Sequence, residues 1–256
     1  YPDIHLLANA EINDILKLWQ GLGYYGRARN LHEAAKYVVN QLKGIFPDCY
    51  SELLKMKGVG KYTAAAIASI AFNESIAALD GNVYRVLSRY FGIFNEFSTE
   101  KGKRLFFDLA SKLIDQTNNP GDFNQALMDF GSLQCTPVNP NCYECPLSDT
   151  CYAKLFKKTG MLPTKKKRAI IRKRYFYYIV IIFGNYTYIR KRKEKDIWRS
   201  LYEFPLFEYK SRMSKEKLVN YFLMEELGIE SSNNYIIEEI SKPINHKLSH
   251  QLINAQ

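Results

Sequence analysis

The chain has 256 residues and a mass of 29.8 kDa, enough for one large domain or two ordinary ones, each with its own core. Hydrophobic residues make up 46% and charged residues 24%, ordinary globular usage that excludes a disordered chain, and no run of eighteen apolar residues offers a membrane span. The formal charge of +10 is unevenly spread: residues 154–200 hold 16 Lys and Arg against Glu194 and Asp196, a net of +14, so everything else sums to about −4.

Residues 1–153 carry 14 basic and 16 acidic side chains, so this region cannot owe affinity for a polyanion to bulk charge. Any phosphate contact there has to come from local backbone geometry. The chain opens at Tyr1 without a basic segment followed by an apolar one, so no leader is expected; the reading is that it begins inside a longer protein.

From Glu11 onward apolar residues recur at helical spacing, as in Ile12, Ile15, Leu16 and Trp19, then Ala34, Ala35, Val38, Val39 and Leu42. Residues 1–155 are therefore expected to form an all-helical domain. Within it, Gly58-Val59-Gly60-Lys61 links two helical patterns. Two glycines let a phosphate oxygen approach backbone amides, and the helix that follows aims its free N–H groups and dipole at the same point. An ordinary interhelical turn would use the same residues. Asp80, in Leu79-Asp80-Gly81-Asn82-Val83, stands where a turn passes into the next helix. It reads first as an N-cap, and second as a carboxylate able to stabilise positive charge on a sugar whose base is departing.

Four of the five cysteines follow as Cys135, Cys142, Cys145 and Cys151, separated by six, two and five residues, while Cys49 stands apart. The spacing points to a metal site rather than to disulfides. Both zinc and a cubane iron–sulfur cluster accept four thiolates, so the ligand set leaves the metal open. Residues 156–174 form a basic, proline-punctuated stretch read as a linker. Beyond it, Tyr175–Phe183 and Tyr186–Ile189 read as strands around a Gly184-Asn185 turn, and Lys215–Leu227 reads as a helix ending at Gly228. Residues 175–256 are thus expected to be a smaller α/β domain.

The glycine hairpin, Asp80 and the cysteine loop, in that order, resemble the endonuclease III superfamily of helix-hairpin-helix DNA glycosylases. Gly21-Leu22-Gly23-Tyr24-Tyr25-Gly26-Arg27, Leu79–Val83 and Phe123-Asn124-Gln125-Ala126-Leu127-Met128-Asp129 narrow the resemblance to its adenine-specific branch, the MutY-type glycosylases. The resemblance implies that the four cysteines hold a [4Fe-4S] cluster and that Gly58, Val59, Gly60 and Lys61 bind the DNA backbone. It assigns Tyr62, Asp80 and Asn82 to the sugar pocket. Gln125 would contact the extruded adenine, Tyr24 would wedge into the base stack, and Ser249 would read 8-oxoguanine from a Nudix-like domain.

Tyr62 occupies the position of the Schiff-base lysine in bifunctional relatives, so a monofunctional hydrolase is implied. The expected partner is double-stranded DNA with A:8-oxoguanine or A:G mispairs, with no membrane partner, a monomeric state and, in a bacterium, a cytoplasmic, nucleoid-associated place. The general-acid glutamate of such enzymes precedes the segment matching Tyr1, so this chain is expected to lack it; the last strands of the reader domain are likewise expected beyond Gln256. Two alternatives remain at this stage. One is a DNA-recognising chain without activity, and the other is an endonuclease III-like lyase for oxidised pyrimidines.

Overall fold

The structure is a computed structural model that describes residues 1–164, 171–194, 196–214, 217, 218, 221, 240–248 and 250–256. It divides into two compact units, Tyr1–Lys167 and Arg168–Gln256. Among the described residues of the first unit every regular element is a helix, as the apolar period predicts. These are α1 (Ile4–Asn9), α2 (Ile12–Leu18), α3 (Gly26–Gln41), α4 (Tyr50–Leu53), α5 (Lys61–Phe72), α6 (Gly81–Phe91), α7 (Glu100–Ile114), α8 (Pro120–Leu133) and α9 (Tyr152–Leu155).

Three buried clusters make up the core of this unit: Ile15, Leu16 and Ala28 form a small one near its start, and two larger ones follow. The first joins Ala34 and Val38 of α3 to Leu53, Met56, Ala64 and Ala68. The second joins Val83 and Leu87 of α6 to Phe106, Ala110 and Ile114 of α7. Phe106 is wholly buried, so truncating it to Ala would cost about 3–5 kcal/mol. Helix α8 crosses both α5 and α6, and glycines set the separation. A Cβ at Gly121 would stand 2.8 Å from the Ser69 carbonyl oxygen of α5, and one at Gly131 would stand 2.7 Å from Asn82 Cβ of α6. Those two contacts hold α8 against α5 near its start and against α6 near its end.

The stretch read as a linker is shorter at both ends than the sequence implies. Leu162 is buried in the first unit, its carbonyl accepts from Arg89 Nε at 3.0 Å, and Thr164 Oγ1 donates to the Phe94 carbonyl at 2.7 Å. Apolar Met161-Leu162-Pro163 interrupts the basic run and supplies the surface to bury. At the other end the first strand already starts at Arg172.

The second unit contains β1 (Arg172–Tyr178), β2 (Ile182–Phe183), β3 (Tyr186–Thr187), β4 (Arg190–Lys191), β5 (Tyr202–Glu203), β6 (Leu206–Tyr209), β7 (Ile244–Lys247) and β8 (Gln251–Ala255). Its main sheet has the order β6-β1-β8-β7, with β1 and β8 parallel and the other pairs antiparallel. The Gly184-Asn185 turn joins β2 to β3, with Gly184 at φ +56°. The long strand expected from Tyr175 to Phe183 is broken after Tyr178. Its partner β6 begins at Leu206, opposite Tyr178, and the preceding Pro205 has only a carbonyl to offer, which Ile179 N–H takes at 3.0 Å. Residues 217, 218 and 221 are helical. The rest of the expected Lys215–Leu227 helix, the Glu225–Gly228 segment and Ser249 lie outside the described residues.

Candidate functional site

The Gly58–Lys61 turn is built as a backbone surface. Gly58 has φ +83°, and a Cβ there would strike Asn30 Cβ at 2.5 Å, so only glycine fits. Val59 contributes its backbone to the turn, while its half-buried side chain packs against the first of the two larger clusters. Gly60 caps α5 without any side-chain bond, and no atom lies within 4 Å of a Cβ built on it. The first-turn amides of α5 have no acceptor within the helix, and nothing covers the approach at Gly60. Lys61 is exposed, and its charge acts on Glu100 of α7 across the cleft that Tyr62 also lines.

One residue further, Tyr62 points elsewhere. Its hydroxyl donates to Met128 Sδ of α8 at 3.2 Å, and it remains 41% exposed. Burial pushes the Tyr62 hydroxyl pKa up, and the nearby Asp80 charge adds to the rise, so at neutral pH the group is a proton donor. Tyr62 borders a cleft of about 670 Å³, lined also by Tyr50, Leu79, Tyr84, Arg104 and Phe107.

Asp80 performs the capping role read from the sequence. Its Oδ1 accepts from the Asn82 and Val83 amides, each at 2.8 Å, and its Oδ2 accepts from Asn82 Nδ2 at 2.8 Å. Two backbone amides and the Asn82 side-chain amide hold the carboxylate in one orientation. Its position is set from behind by Asn124, a buried residue absent from the expected site. Asn124 Nδ2 donates to Ser69 Oγ at 2.8 Å and to the Ile76 carbonyl at 2.9 Å, while its Oδ1 accepts from Ala78 N–H at 3.0 Å. The segment leading into Asp80 is thereby stapled to α5 and α8.

The other residue missed from sequence is Arg85, which is 8% exposed. Its Nη2 donates to Asn82 Oδ1 at 2.8 Å and to the Gly131 carbonyl at 2.6 Å, and its Nε donates to the Cys135 carbonyl at 2.8 Å. Burial lowers its pKa and Arg89 opposes its charge, whereas Cys135 and Asp80 support it. A continuous chain of hydrogen bonds therefore runs from the Asp80 carboxylate through Asn82 and Arg85 to the first cysteine. The available signal was an Arg at positions 85 and 89, one turn apart, on the same face as Val86 of an amphipathic helix.

Arg89 binds the cysteine loop directly. It donates from Nη1 to Cys135 Sγ at 3.3 Å and the Thr136 carbonyl at 2.7 Å, and from Nη2 to the Pro137 carbonyl at 3.2 Å. Cys135, Cys142, Cys145 and Cys151 line one cavity with Arg89. Burial raises the Cys142 thiol pKa, and the other three sulfurs raise it further while Arg89 pulls the opposite way. Four such sulfurs become thiolates together only with a cation among them. Among the described residues no group of three or more His, Cys, Asp or Glu stands in ready-made ion-binding geometry.

The remaining expected residues separate in space. Gln125 is exposed on α8, one helical turn before Met128, with its Nε2 donating to Asp129 Oδ1 at 3.0 Å. Tyr24 is 74% exposed at φ +47°, whereas its neighbour Tyr25 packs against Ile15, Leu16 and Ala28. Asp80, Asn82 and Tyr62 are thus brought together beside α8, and Tyr24 stands out on the loop between α2 and α3.

Residues 1–112 match the family described as HhH-GPD superfamily base excision DNA repair protein. An adenine DNA glycosylase of Buchnera aphidicola subsp. Schizaphis graminum is 36% identical over 250 residues, spanning 98% of this chain and 69% of the relative. The Arabidopsis thaliana adenine DNA glycosylase is 38% identical over 240 residues, 87% of this chain and 38% of its own. Among solved structures, a thermostable thymine-DNA glycosylase shares 31% identity at TM-score 0.55, covering 61% of this chain and 71% of that one. An endonuclease III–DNA complex at 23% identity and TM-score 0.51, over 61% of this chain and 72% of its own, shares the fold. A helical unit with a glycine hairpin, a capped aspartate and a four-cysteine loop, continued into a second unit along which the bacterial relative still aligns, identifies the chain as a member of the adenine DNA glycosylase family of base excision repair.

Proposed function

We propose that the protein hydrolyses the N-glycosidic bond of adenine mispaired with 8-oxoguanine or guanine in double-stranded DNA. The observation that carries this reading is the Asp80 carboxylate, immobilised by two amides and the Asn82 side chain, beside a tyrosine rather than a lysine at position 62. Loss of the base leaves positive charge on the sugar, and a preorganised carboxylate stabilises that charge without having to reorient. Tyr62 and Asn82 border the same point, and Gln125 offers an amide donor and acceptor to an extruded base. Open amides at Gly60 and the start of α5 grip a phosphate and position the duplex without reading sequence. No lysine is available for a Schiff base at the Tyr62 position, which favours hydrolysis over a lyase reaction.

The four cysteines fit a [4Fe-4S] cluster: they are soft sulfur donors only, they share one cavity, and Arg89 places a positive charge against the first of them. Such a cluster would supply a fixed cross-link for the loop. The chain's own residues then transmit that loop's position to Asp80 through Arg85 and Asn82. The second unit, a mixed sheet with an exposed β7 carrying His246 and Lys247, is the proposed reader of the opposing base.

The test is single-turnover excision by the full-length protein. Asn caps a helix about as well as Asp, so Asp80→Asn should fold, keep roughly four irons per chain and bind an A:8-oxoguanine duplex. Adenine release should nevertheless fall by on the order of 10² to 10³. Near-normal release would leave Asp80 a cap alone, and borohydride trapping of a DNA adduct would return the lyase reading.

A further inference from the structure

The end of α2 and the loop joining it to α3 carry exposed apolar residues, Leu18 at 73%, Leu22 at 60% and Tyr24 at 74% exposure. Such exposure costs solubility, and Tyr24 also sits in the left-handed region at φ +47°, a conformation that a bulky residue keeps only when its surroundings impose it. The surroundings are specific. Trp19 Nε1 donates to the Gly23 carbonyl at 3.1 Å, fixing the backbone just before Tyr24. Arg27, the second residue of α3, donates from Nη2 to the Leu22 carbonyl at 3.3 Å, and its backbone N–H donates to the Tyr24 carbonyl at 2.8 Å. Its guanidinium stands 5.3 Å from the Trp19 ring centroid and 5.9 Å from that of Tyr24. Gly21 and Gly23, at φ +87° and +64°, give the chain the reversals this arrangement needs.

We infer that Arg27 is a positioning residue: stacked between the Trp19 and Tyr24 rings, it presets the exposed Tyr24 ring as a rigid wedge for the DNA base stack, and Trp19 is the anvil behind it. This rests on the proposed function, which brings Tyr24 to DNA. Inserting a ring that already holds its bound orientation avoids the entropy of ordering it on contact, so the gain appears when neighbouring bases are forced apart. Arginine suits the task because its plane stacks on both rings while its N–H edge reaches the Leu22 carbonyl, which the ammonium of lysine does less well. The competing role for an exposed arginine beside DNA is a direct phosphate contact.

The experiment uses the full-length protein and an A:8-oxoguanine duplex with 2-aminopurine beside the mispaired adenine, whose fluorescence rises as its neighbours unstack. Tyr24→Ala should abolish most of the rise; if it does not, the wedge reading itself fails. Given that loss, Arg27→Gln and Arg27→Lys should both weaken the unstacked complex by about two- to fivefold, the fold-change of an exposed cation–π contact worth about 0.5–1 kcal/mol. Adding Arg27→Gln to Tyr24→Ala should cost nothing more. The slope of log affinity against log salt should stay that of the parent protein in Arg27→Gln. Rescue by Arg27→Lys, additivity in the double variant, or a slope reduced by about one counterion would overturn the positioning role in favour of a phosphate contact. Unchanged melting of each variant excludes simple misfolding, and Arg27→Lys carries the test if Arg27→Gln melts early.

Discussion

Among the described residues each unit buries two arginines, and the two pairs are satisfied in opposite ways. In the helical unit Arg85 and Arg89 donate to the carbonyls of Gly131, Cys135, Thr136, Pro137 and Leu162 and to the Asn82 amide oxygen. These acceptors carry no net charge, so two positive charges remain in the interior, facing four thiols and Asp80. In the sheet unit Arg174 and Arg192 lie against Asp196, Glu203 and Glu208, two cations with three carboxylates, and both guanidinium groups stand over the Phe176 ring. Charge is cancelled locally there. One pair is an electrostatic resource left available to anionic groups, and the other is a clamp that holds the 192–203 loop on the sheet. Burial alone does not tell them apart; the acceptors do.

Arg89→Met should separate them most sharply. It strips several buried carbonyls of their donor at about 1–3 kcal/mol each, so urea unfolding should show a loss of about 4 kcal/mol or more, with iron lost as well. Because carbonyls do not titrate, lowering the pH should restore nothing. Arg174→Met should cost about 3 kcal/mol, at the low end for a broken buried ion pair, since Asp196 and Glu208 keep 30% and 36% of their side chains exposed.

Here the pH dependence has a sign. Burial pushes the Asp196 carboxyl up, but bonds from Arg174 and the Ile197 amide outweigh it and hold the group below its ordinary 3.8. Its stabilisation is therefore present above about pH 4 and lost as pH falls through the lower folded value. In Arg174→Met that advantage is gone, so the deficit relative to the parent protein should narrow on acidification. A deficit independent of pH between about 6 and 3 would argue that Arg174 acts by packing alone.

Arg85→Lys keeps the charge and removes the fork that spans Asn82, Gly131 and Cys135. Binding to the mispaired duplex should persist while excision falls by about tenfold, roughly 1.4 kcal/mol. An equal fall in binding would place Arg85 with Arg89 as a loop anchor only. The smallest effect belongs to the sheet unit, where Ser200 sits at φ +69° next to the clamp. Ser200→Gly should stabilise that unit by about 0.5–1 kcal/mol in denaturant titration, and no gain would mean that local bonds already offset the strain.

The helical unit was legible because its signals are local. A 3.6-residue apolar period, a Gly58-x-Gly60 turn, an aspartate at a helix start and four cysteines at fixed spacing each describe a few neighbouring residues, and all of them stand in the structure as helices, a turn, a cap and a shared cavity. Local signals failed where a partner decided. The strand through Tyr175–Phe183 ends at Tyr178 because Pro205 stands just ahead of its partner strand, and the basic run after Phe156 is partly folded because Leu162 finds a buried place and Arg89 finds its carbonyl.

By itself the sequence determined the helical class of residues 1–155, the cap at Asp80, the clustering of the cysteines and the family. Tertiary structure alone decided how these parts communicate. The Asn124 side chain is 46 residues or more from every group it bonds, and Arg85 reaches 50 residues along the chain to Cys135. A guanidinium or a side-chain amide carries no sequence mark of the distant carbonyl it will satisfy. Only the crossing of α8 over α5 and α6, set by Gly121 and Gly131, brings those donors and acceptors within reach.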